Sequence, residues 1–73
     1  MADVVDSDEL LRRIQRARAC AAQEERAWRA RGDEASRTDP GAARDADVRA
    51  TAYEVVVRVL DEVLTPGRAT AQD

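Results

Sequence analysis

The sequence predicts an all-α protein: an antiparallel two-helix hairpin that dimerises into a four-helix bundle. Two segments of nearly equal length carry helical apolar spacing between legible start and stop signals. One polar stretch joins them. The run Val55-Val56-Val57-Arg58-Val59-Leu60 is apolar on more sides than one neighbouring helix covers.

The first helix is expected over about 7–31, after a flexible N-terminus at 1–6. Asp6 is placed as N-cap with Glu9 at N3, a capping-box pattern, and Val5 and Leu10 are spaced for a hydrophobic staple. Asp8 and Glu9 suit the positive end of the helix dipole. Arg29 and Arg31 mark the last turn, and Gly32 is the expected αL residue after it. At about 100° per residue, Leu10, Ile14, Ala17, Ala21 and Trp28 form a narrow coiled-coil-like seam, assigned here to hairpin packing. Glu24 occupies the remaining slot of that seam, and Leu11 and Cys20 flank it.

A polar loop is expected at about 32–39. Asp39-Pro40, an N-cap followed by proline at N1, opens the second helix over about 40–64. Gly41 weakens the first turn, so a start nearer Ala42 or Asp45 competes. Thr65-Pro66-Gly67 ends the helix, because the residue before proline avoids the helical region. Residues 65–73 read as a disordered tail. A strand over the valine run fits propensity, but Glu54, Arg58, Asp61 and Glu62 fit a helical polar face better.

The apolar arc of the second helix spans roughly 200°, against about 100° or somewhat more for an ordinary surface helix. Tyr53, Val55, Val56, Val57, Val59, Leu60, Val63 and Leu64 are therefore assigned to an interface. Composition points the same way. Fifteen of the hydrophobic residues are alanine, and phenylalanine is absent. A chain of 73 residues builds a self-sufficient core with difficulty. Small scaffolds use disulfides, a metal or oligomerisation. One cysteine and no histidine leave oligomerisation, or a different helical protein partner.

No catalytic constellation is visible. Without histidine the commonest general base and metal ligand is missing. Without lysine there is no Schiff-base nucleophile and no Walker-type phosphate loop. The glycines, Gly32, Gly41 and Gly67, form no phosphate cradle. No cofactor or metal site is expected, and the chain is read as a non-enzyme. Cys20 reads as a small apolar residue beside the seam rather than a nucleophile. Acidic and basic residues at i,i+4 are expected to pair on solvated faces: Asp8 with Arg12, Glu9 with Arg13, Glu25 with Arg29, Asp45 with Arg49, Glu54 with Arg58. A Glu24–Arg49 pair between the helices is a further candidate, set against both side chains snorkelling to the interface edge.

All 12 basic residues are arginine, and the net charge is −3. Lysine, asparagine and phenylalanine, whose codons are AT-rich, are absent, which suits a GC-rich bacterial or phage gene. Only Arg12, Arg13 and Arg16 cluster as candidate nucleic-acid contacts, in an acidic chain, so nucleic acid is the weaker expectation. No secretory signal or membrane span is legible, so a cytoplasmic protein with a reduced Cys20 is expected. The leading expectation is a small protein–protein interaction module (adaptor, accessory subunit or modulator) that self-associates through the second helix. The alternative is a phage or mobile-element regulator contacting nucleic acid through the arginine-rich first helix.

Overall fold

The computed structural model describes residues 6–65, which form two helices packed as an antiparallel hairpin. Val5 of the proposed staple lies outside that range, as do most residues of the two expected flexible ends.

Asp6 caps α1, Ser7–Ala35, by accepting the Glu9 backbone N–H at 2.7 Å. Only this half of the capping box forms. The Glu9 carboxylate instead accepts from Arg12 at 3.3 Å and Arg13 at 3.0 Å. At the far end, the expected stop at Arg31 gives way to a longer helix. Gly32 lies inside α1, facing α2 (Pro40–Leu64). A Cβ on Gly32 would meet Ala46 Cβ at 3.5 Å and Ala43 O at 3.6 Å. Gly32 is therefore a helical residue facing α2 with room for a methyl group, rather than an αL cap. Ser36, itself right-handed at φ −58°, ψ −27°, is the C-cap of α1. Thr38 and Asp39 N–H donate to Ala35 O at 3.1 and 2.8 Å, which satisfies a terminal carbonyl without glycine. The connection shortens to residues 36–39.

Asp39 caps α2 by accepting the Ala42 N–H at 3.1 Å, with Pro40 in the first turn. Gly41 does not delay the start. The helix runs to Leu64, where Thr65 N–H donates to Asp61 O at 2.8 Å.

The seam on α1 is Ile14, Arg18, Ala21, Glu25, Trp28, Gly32 and Ala35, a 4-3 alternation. Of the expected hairpin set, Ile14, Ala21 and Trp28 lie on it. Leu10 and Ala17 are exposed. Arg18 and Glu25 occupy the slots next to them because a long side chain can lay its stem on the interface and keep its head at the edge. Arg18 reaches Asp61, and Glu25 holds Arg29. Leu10 has a second reason for exposure. Asp61 lies about one turn from the end of α2, whereas its partner Arg18 lies about three turns from the start of α1. The first turns of α1 thus extend past Leu64, and Leu10 and Leu11 project there, exposed.

The opposing seam on α2 is Ala43, Ala46, Ala50, Tyr53, Val57, Leu60 and Leu64. It is graded. Ala43 and Ala46 face Gly32 near the turn, and the larger Tyr53, Val57, Leu60 and Leu64 follow toward the open end. Only Ala21, Ala46 and Ala50 are buried among the described residues. No large side chain among them is fully buried. Two helices enclose a line of contact rather than a volume, so each large residue keeps one flank in water.

Candidate interaction surface

The apolar arc of α2 divides in two. Tyr53, Val57, Leu60 and Leu64 are half-buried on the α1 side. Val48, Val55, Val56, Val59 and Val63 lie on the opposite side, 43–67% exposed. Ala52 is exposed among them. The spacing 48, 52, 55, 59 follows the 4-3 rule, so these positions make one row along α2. Arg49, Val56 and Val63 border it on one side, and Arg44, Thr51 and Arg58 border it on the other. Val48 and Ala52 were not in the interface set read from the sequence. Their 4-3 spacing with Val55 and Val59 was the available signal.

Charged side chains fence the remaining surface. Arg29 gathers three carboxylates: Glu25 at 3.2 Å, Glu54 at 2.8 Å and Asp47 at 3.8 Å. Glu54 also holds Arg58 at 3.1 Å. This network bridges the helices on one side of the hairpin. On the other side Trp28 takes two arginines, Arg31 at 4.5 Å and Arg49 at 4.9 Å from its ring centroid. Arg49 is also held by Asp45 at 3.2 Å. The Glu24–Arg49 pair does not form. Arg49 has turned to Asp45 and the Trp28 ring, and Glu24 is exposed on the flank that α1 turns away from α2. Four of the five expected i,i+4 pairs are present, and Arg12 pairs with Glu9 rather than Asp8.

Near the open end Arg18 donates from Nε and Nη2 to Asp61 at 2.8 and 3.3 Å. That hydrogen bond first, and the carboxylate charge second, raise the Arg18 pKa above its ordinary value. A base with a raised pKa stays protonated throughout the neutral range, so Arg18 adds no pH dependence there.

Arg12 and Arg13 both engage Glu9, and Arg16 is exposed. Cys20 is an exposed free thiol, away from the seam. Among the described residues no cluster of three metal-ligating side chains occurs, and no described helix is long and apolar enough to cross a membrane. A shallow groove of about 350 Å³ lies over Gly32, lined by Trp28, Arg29, Asp33, Ala43, Arg44 and Asp47. Its charges of both signs are open to water. It lacks the enclosed character of a small-molecule site.

The surface feature that stands out is therefore the valine row of α2. No family model, no curated protein and no solved structure matches this chain.

Proposed function

We propose that the protein is a helical interaction module that self-associates through the outer face of α2, forming a four-helix bundle with α1 on the outside. One observation carries this reading: Val48, Val55, Val56, Val59 and Val63 are exposed in a continuous row, on the face that α1 leaves uncovered. Burying a valine fully is worth roughly 1.5–3 kcal/mol. A lone hairpin leaves all five about half exposed or more. A second copy presents the same row and is an economical cover. The role that follows is adaptor, accessory subunit or modulator, with the fenced charged faces left for other proteins.

The test is Val59→Asp in the full chain, followed by sedimentation equilibrium and circular dichroism. Val59 points away from α1, so the hairpin keeps its own contacts. The reading expects a shift from dimer to monomer. An unchanged dimer carrying Val59→Asp contradicts it.

A further inference from the structure

We draw no further inference here: the strongest candidate, the exposed apolar patch of Leu10 and Leu11 where α1 runs past the end of α2, carries nothing, because nothing in the structure shows what covers it.

Discussion

Arg18 Nε lies 2.8 Å from Asp61 Oδ1, a pairing between residues 43 apart in sequence that ties the two helices near the open end of the hairpin. It is the longest-range ion pair among the described residues, and it fixes which turn of α1 faces which turn of α2. Both side chains remain part-exposed, so salt screens the pair. Arg18→Gln is expected to lower the thermal midpoint slightly, by less in high salt than in low salt. The charge swap Arg18→Asp with Asp61→Arg is expected to recover part of the loss. Equal midpoints for wild type and Arg18→Gln at low salt would show the pair to be idle.

Gly32 gives a sharper contrast. It is a helical residue, and a methyl there meets Ala46 Cβ and Ala43 O at ordinary contact distance. Glycine costs a helix interior about 1 kcal/mol relative to alanine. Gly32→Ala should therefore stabilise the hairpin by up to about that amount, seen as a higher midpoint in urea unfolding. Were Gly32 the αL cap suggested by the sequence, the same change would destabilise it.

Among the described residues Ala50 is the most enclosed, on the α1 side of α2. Ala50→Leu forces the helices apart and should cost about 1–3 kcal/mol, as overpacking does elsewhere. Ala30→Leu, exposed on α1 away from the seam, should cost nothing. The comparison of their unfolding midpoints shows whether the cost of Ala50→Leu arises from the helix contact.

Helix starts were legible because caps are local: Asp6 and Asp39 each sit three residues before the backbone N–H they accept. The α1 seam was harder. An apolar-only template selects Leu10 and Ala17, whereas the structure uses Arg18 and Glu25, whose stems are apolar and whose partners lie on the other helix or at its edge. Nothing local to α1 announces Asp61. Gly32 misled for a related reason. A glycine after basic residues reads as a cap, and only the facing Ala43 and Ala46 show it to be a helical residue on the α2 side. On α2 the wide apolar arc was visible. Its division into an inner alanine-to-leucine seam and an outer valine row depended on where α1 lies.

Nucleic-acid binding through α1 makes a distinct prediction. Phosphate contacts need unpaired positive charge on one face, and binding then weakens steeply with salt. Arg12 and Arg13 both engage Glu9. Electrophoretic mobility assays with duplex and single-stranded probes at micromolar protein should show no salt-sensitive complex. A complex lost on Arg12→Ala, Arg13→Ala or Arg16→Ala would return α1 to the role of a nucleic-acid contact.

The most direct measurement is the mass of the unmodified chain by light scattering across a micromolar concentration series, with circular dichroism on the same samples. The account predicts a strongly helical particle of twice the 8.0 kDa chain mass. A helical particle that stays at the mass of one chain throughout would contradict it.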